Sequence, residues 1–177
     1  MKVSESNRIF LRTISIEDAS FYLHLVNQPS FKQFIGDKGV YTEEQARTAL
    51  SGGIIEQQER LGYSMYMVQR KSDMAPLGMC GLIKRDAFDD VDIGCAFLPQ
   101  YWGRDYPFEA GAATMEHARD VIGLRRIVAL VAPGNRGSVH LVDRLGFRLE
   151  REAELLGKPV NLYACCLDGV RPVVGAT

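Results

Sequence analysis

Phe97-Leu98-Pro99-Gln100-Tyr101-Trp102-Gly103-Arg104-Asp105-Tyr106-Pro107-Phe108-Glu109-Ala110 joins an apolar strand to a helix through a loop containing Pro99 and Gly103. The strand ends at Leu98 and the helix is expected to begin near Pro107. A helix N-terminus pointing out of a strand end presents N–H groups without intrahelical partners and the positive end of the dipole. That suits a phosphate, although such junctions also occur with no ligand. Just upstream, period 2 puts Val91, Ile93, Cys95 and Phe97 on an apolar face, while Asp92, Gly94, Ala96 and Leu98 face the other way. The second face has little bulk in its middle. Either a ligand lies along it or a helix packs tightly against it.

Moving toward the N-terminus, Tyr63–Val68 and Leu77–Ile83 read as strands, separated by the turn Lys71–Pro76 and followed by the turn Asp86–Asp90. Short turns between three strands predict an antiparallel meander. Arg8–Ile14 reads as the first strand, and Ser15-Ile16-Glu17-Asp18 as a capping box for a helix carrying Ala19, Tyr22, Leu23 and Val26, ended by Pro29. Phe31–Ile35 is a helical turn. Thr42-Glu43-Glu44-Gln45 is a full capping box for a helix reaching about Gly62, with a bend expected at Gly52-Gly53.

Toward the C-terminus, a helix is expected from Pro107, at its first position, to about Ile122, with Phe108, Ala112, Met115 and Ile122 on one face. Gly123 stops it. Arg126–Ala132 follows as a strand, Ser138–Leu145 as a short helix, and Phe147–Glu152 and Val160–Leu167 as closing strands. The order β-α-α-β-β-β-α-β-α-β-β implies an α/β fold of the mixed α+β kind. It has a central mixed, mostly antiparallel sheet with helices on both faces. One domain over residues 1–177 is expected, with a loose tail at Val170–Thr177.

The composition, 46% hydrophobic and 24% charged with net charge −1, is that of a soluble globular protein and gives no general attraction to nucleic acid or anionic membranes. No apolar run reaches membrane-spanning length and the N-terminus lacks a signal-peptide core, so a cytoplasmic location is expected. Cys80, Cys95, Cys165 and Cys166 have no Cys-x-x-Cys spacing and no histidine near in sequence, so buried reduced thiols and no metal are expected. His24, His117 and His140 fall in predicted helices and read as structural or solvent-facing.

The motifs Arg8-Ile9-Phe10-Leu11-Arg12, Glu17-Asp18-Ala19, Val91-Asp92-Ile93-Gly94, Tyr101-Trp102-Gly103, Asn135-x-x-Ser138, Leu145-Gly146-Phe147 and Val160-Asn161-Leu162-Tyr163 are individually weak, but their order and spacing are specific. In them the chain resembles the GNAT superfamily of acyl-CoA-dependent N-acyltransferases, most of all the branch of ribosomal-protein N-terminal acetyltransferases. The resemblance implies acetyl-CoA as co-substrate. Its pantetheine arm would lie along the backbone at Phe97-Leu98 like an added strand, and its pyrophosphate on the loop of Trp102, Gly103, Arg104, Asp105 and Tyr106. The implied reaction is attack of a neutral amine, on a small molecule or a protein N-terminus, on the thioester. It requires proton removal, an N–H donor for the developing oxyanion and protonation of the thiolate. A homodimer stays open.

Asp92 matches the family's acidic base, acting through water, and reads equally as a strand-edge or turn-capping carboxylate. Ser138 matches a position that serves the thiolate, or is a helix cap. Asn135 either holds the turn before that helix or contacts the pantetheine. Tyr163 and Glu154 are further candidates, whereas the position that often carries a family tyrosine is Val142. Phe31–Thr42 and Lys84-Arg85-Asp86 are expected on the acceptor side.

The family loop Gln/Arg-x-x-Gly-x-Gly/Ala registers on Trp102, Asp105 and Pro107. Asp105 brings a charge and a Cβ where a glycine is usual, but tolerates left-handed backbone. Pro107 removes an N–H that the phosphate would otherwise receive, a loss of cofactor affinity that Arg104 is expected to offset in part. These departures motivate a second reading, a non-catalytic module on the same fold with a weakened pyrophosphate loop. A purely structural or oligomerisation role has only the unspecific apolar content behind it.

Overall fold

β1 (Lys2–Glu5) precedes the strand expected to be first, β2 (Ile9–Thr13), and pairs with it antiparallel at the sheet edge. Its sequence, KVSE, has no apolar alternation to announce a strand. Polar residues on an edge discourage pairing with another chain, which is why edge strands read so weakly. A computed structural model of the chain describes residues 1–169. The expectation of a loose tail at Val170–Thr177 falls outside them.

Among the described residues the sheet has eight strands in the order β1-β2-β3-β4-β5-β6-β8-β7. β3 (Met65–Arg70), β4 (Pro76–Ile83) and β5 (Asp92–Phe97) form the expected antiparallel meander. β6 (Arg126–Val131) lies parallel to β5 and antiparallel to β8 (Lys158–Cys166), and β7 (Arg148–Leu155) closes the far edge. The sheet is therefore mixed and mostly antiparallel, as expected. β7 and β8 extend beyond their predicted bounds to a two-residue turn in which Leu156 (φ 51°) and Gly157 (φ 75°) are both left-handed, as a type I′ hairpin requires. Pro159 hid this extension in the sequence. It is tolerated because β6 flanks β8 only from Asn161 onward.

On one sheet face lie α1 (Ala19–Val26), α2 (Pro29–Phe34), α3 (Glu43–Ala49) and α4 (Glu56–Leu61). Their core gathers Tyr22, Leu25, Phe31, Leu50, Met65, Met67, Met79 and Leu98. The Thr42 capping box forms as read: Gln45 N donates to Thr42 Oγ1 at 3.1 Å, and Thr42 N donates to Gln45 Oε1 at 3.1 Å. At the earlier box Ser15 N donates to Asp18 Oδ2 at 2.9 Å, while Asp18 is also gripped by Arg12. Gly52-Gly53 does not break its helix. Leu50–Ile55 is a π-helical turn that connects α3 to α4, and Gly62 (φ 79°) ends α4 in the left-handed form.

The opposite face carries α5 (Tyr106–His117), extended by a π turn over Ala118–Ile122, and α6 (Arg136–Arg144). Ile9, Leu11, Tyr66, Val68, Leu77, Ile93, Phe97, Ala110, Met115, Leu145 and Phe147 form this core. The α5 face differs from the expected one. Ala110 to Met115 are buried together, and Phe108 and Ile122 only partly. Small residues let the helix approach closely: a Cβ on Gly111 would meet Leu145 Cδ1 at 2.7 Å. Pro107 stands second in α5, not first. All four cysteines lie in strands and are free thiols, and Cys166 is exposed where burial was expected. No helix is long and apolar enough to cross a membrane among the described residues.

Candidate active site

β5 carries both faces that the alternation predicted. Ile93 and Phe97 enter one core, and Ala96 and Leu98 border the other. The lack of bulk at Gly94 is partly filled by protein, because a Cβ there would meet Ile83 Cδ1 at 3.0 Å and Met65 Sδ at 3.2 Å. The edge of β5 is more informative. Leu98 N donates to Leu77 O at 3.0 Å, and the β4–β5 register places Leu77 opposite Leu98. Alternation then directs the backbone groups of Ile93, Cys95 and Phe97 toward β6. β5 and β6 pair only at Asp92↔Val128, sealed by Val128 N donating to Val91 O at 3.0 Å. Beyond that point, among the described residues, the inner edge of β5 has no strand opposite it. Backbone groups at Cys95 and the N–H of Phe97 are left for another partner.

The two ends of this notch differ in chemistry. At its base Asp92 is 2% exposed and accepts from Arg85 Nε at 3.0 Å. Burial raises the carboxyl pKa, and the charge and hydrogen bond of Arg85 offset only part of that, so the net direction is upward. Asp92 is therefore a buried, ion-paired carboxylate at the first residue of β5. The hairpin register already hints at the partner. Ile83 lies opposite Asp92 and Arg85 follows just past the end of β4.

At the other end, about 17 Å away at strand rise, Pro99–Tyr101 forms a 3-10 turn and the loop enters α5. Leu98 is engaged through both backbone groups, because its carbonyl also accepts from Tyr101 N at 3.0 Å. Trp102, half exposed, donates its indole N–H to Phe97 O at 3.0 Å, so that carbonyl is spent as well. Gly103 (φ 70°) and Asp105 (φ 61°) are both left-handed, so the aspartate keeps the turn that glycine would make. Its carboxylate does not cap α5. It accepts from Arg144 Nη1 at 2.7 Å, and Arg144 lies 4.2 Å above the Phe108 ring. The first intrahelical bond is Glu109 N to Asp105 O at 3.0 Å, which leaves the N–H groups of Tyr106 and Phe108 ahead of it. Pro107 between them offers none.

Across the notch, α6 follows β6. Asn135 caps it, with Oδ1 accepting from Ser138 N at 3.2 Å, so the turn-holding role of Asn135 is realised. Ser138 is thus the third helical residue and not the cap; it is half-buried. Val142 points into the core and Tyr163 is buried there too, whereas Glu154 is exposed on β7. Neither Tyr163 nor Glu154 shares the notch edge with Asp92.

Arg8 was missed as part of this region. Its Nη2 donates to Arg104 O at 2.8 Å, its Nε to Glu109 Oε2 at 2.9 Å, and its guanidinium lies 4.4 Å above the Tyr106 ring. Glu109 also accepts from Ser6 Oγ and from Arg8 N. The loop at 102–105 is thereby tied to the N-terminal strands. Nothing in the local sequence pairs residues a hundred positions apart. Burial disfavours the charged form of Glu109, but these hydrogen bonds outweigh it and hold the pKa below the ordinary carboxylate value. A group lowered in this way stabilises the fold above its unfolded pKa and loses that contribution as pH falls through its folded pKa. Glu109→Gln is expected to cost about 1–2 kcal/mol in denaturant unfolding at neutral pH, and the difference from wild type should shrink in acid.

The geometry fits a thin, extended, anionic-tailed group: an open strand edge, then helix-start N–H donors. Among the described residues no group of three or more His, Cys, Asp or Glu is placed to hold a metal ion.

Known proteins point the same way. The model of the acetyltransferase (GNAT) domain matches residues 8–148. YkkB, an uncharacterized protein of Bacillus subtilis, is 24% identical over 163 residues, covering 89% of this chain and 92% of that protein. The uncharacterized N-acetyltransferase YoaA of the same organism is 23% identical over 150 residues, covering 84% of each chain. Among solved structures, the RimL ribosomal L7/L12 alpha-N-protein acetyltransferase in complex with coenzyme A superposes with a TM-score of 0.82 at 22% identity, covering 96% of this chain and all of that one. With its sheet, its notch and a family match over most of its length, this chain belongs to the GNAT acetyltransferase family.

Proposed function

We propose that the chain is an N-acetyltransferase that moves an acetyl group from acetyl-CoA to a primary amine, on a small molecule or a protein N-terminus. The observation that carries this is the unpaired inner edge of β5, running from buried Asp92 to the start of α5. Acetyl-CoA supplies an acyl carbon activated as a thioester. In this reading the backbone at Cys95 and Phe97 orients the pantetheine arm. The N–H groups around Gly103, Tyr106 and Phe108 take the pyrophosphate, with Trp102, Arg104 and Asp105 shaping the loop. Asp92 accepts the proton of the incoming ammonium, directly or through water, and Ser138 across the notch returns one to the departing sulfur. Asn135 acts by fixing the turn that presents Ser138.

Calorimetry with acetyl-CoA and a thiol-release assay over an amine panel test this. Binding in the micromolar to millimolar range with release of one thiol per acetylated amine is expected. Absence of both binding and turnover would sink it. A second reading, a non-catalytic module, is favoured by Asp105 and Pro107 at the helix start. It predicts no measurable acetyl-CoA binding until those two positions are restored.

A further inference from the structure

We infer that the acceptor carries an anionic oxygen group, a carboxylate or a phosphate, near its reacting amine, and that Arg85 and Lys38 receive it; this deepens the acetyltransferase reading and rests on it. A guanidinium has five N–H donors in a planar fork. Arg85 spends its Nε on Asp92 Oδ1 at 3.0 Å, and its Nη groups make no hydrogen bond among the described residues. Its side chain is 28% exposed, so that edge of the fork is reachable. The backbone beneath it is fixed, because Lys84 Nζ donates to Arg85 O at 3.1 Å and also to Phe88 O. Lys84 is thereby occupied, while the Nη edge of Arg85 is not.

The loop between α2 and α3 supplies the other wall. Its acid, Asp37, is already engaged, accepting from Tyr41 Oη at 2.7 Å and Gly39 N at 2.9 Å. Its cation, Lys38, has no ion-pair partner among the described residues. Partial desolvation and then the charge of Arg85 push its pKa down, so the exposed ammonium stands within electrostatic reach of that guanidinium. Lys158 of β8 reaches the same loop, its Nζ standing 4.0 Å from where a Cβ on Gly36 would lie. Arg85 is the cation paired with Asp92, and neither Lys38 nor Lys158 has an ion-pair partner among the described residues. An acidic group on the acceptor completes the charge balance, and a forked guanidinium edge matches a carboxylate or phosphate. The cofactor phosphates do not compete, since the loop that leads into α5 leaves the far end of β5, about 17 Å from Asp92 at strand rise.

The test is a titration of matched amines into the full chain, with and without coenzyme A: an α-amino acid, its carboxamide, and phosphoethanolamine. The acids are expected to bind at least about tenfold more tightly than the carboxamide. Whichever acid binds more tightly identifies carboxylate or phosphate as the recognised group. Lys38→Ala and Arg85→Gln should each collapse that ratio, and Arg85→Lys should restore part of it. Equal affinity for acid and carboxamide, or a preference unchanged in both variants, overturns the inference. An Arg85 that merely braces Asp92 would shift all three ligands together and leave the ratio alone. Loss of coenzyme A binding counts against the acetyltransferase reading instead, and the ratio measured without coenzyme A still decides the acceptor question.

Discussion

Pro107→Ala is expected to tighten coenzyme A binding about tenfold to a hundredfold, read by calorimetry. The first turn of α5 has only the N–H groups of Tyr106 and Phe108 ahead of the bond from Glu109 N to Asp105 O, because proline stands between them. Alanine restores one donor at the helix start, and a hydrogen bond to a charged group is worth about 1.5–3 kcal/mol. The same change should slightly lower thermal stability, by about 0.4–1 kcal/mol, since proline restricts the unfolded chain. Affinity rising while stability falls is a signature that generic tightening of the loop would not give. Asp105→Gly adds to it by removing a carboxylate beside the expected phosphate and releasing Arg144, now held at 2.7 Å, to serve as a cation there. Unchanged affinity in both variants would place the phosphates elsewhere.

The second large effect concerns Asp92. Asp92→Asn is expected to reduce kcat by about a hundredfold to ten-thousandfold, the usual weight of a general base, while leaving acetyl-CoA affinity near wild type. The wild-type pH–rate profile should carry an acid limb displaced upward from an ordinary aspartate, because burial raises Asp92 and Arg85 offsets only part of the shift. A base works only when deprotonated, so activity falls as pH drops through that raised value. The variant should lose the limb. If the limb persists in Asp92→Asn, another group takes the proton. If kcat is unchanged, the carboxylate serves to anchor Arg85.

Much of the fold was legible because its signals are local. Period-2 alternation located β3, β4 and β5; the Thr42–Gln45 capping box located the start of α3; Gly62 and Gly123 marked helix ends by their left-handed backbone. What escaped was weakly patterned or paired over distance. β1 is polar because it is an edge, and the full length of β7–β8 was masked by Pro159. The Asn135 side chain, rather than the Ser138 hydroxyl, caps α6, and a one-turn ambiguity of that kind is settled only by where the helix begins.

The sequence by itself determined the alternating faces of β5 and the strand-loop-helix junction at its end, with Asp105 and Pro107 within it. These depend on neighbours in the chain, and backbone sterics and periodicity read them directly. Only the tertiary structure decided that β6 leaves β5 after a single residue pair, that Arg85 pairs with the buried Asp92, and that Arg8 and Arg144 both hold the loop. Each of those joins groups brought together by sheet pairing and helix packing. Their energies depend on distance and burial, which the order of residues along a chain does not carry.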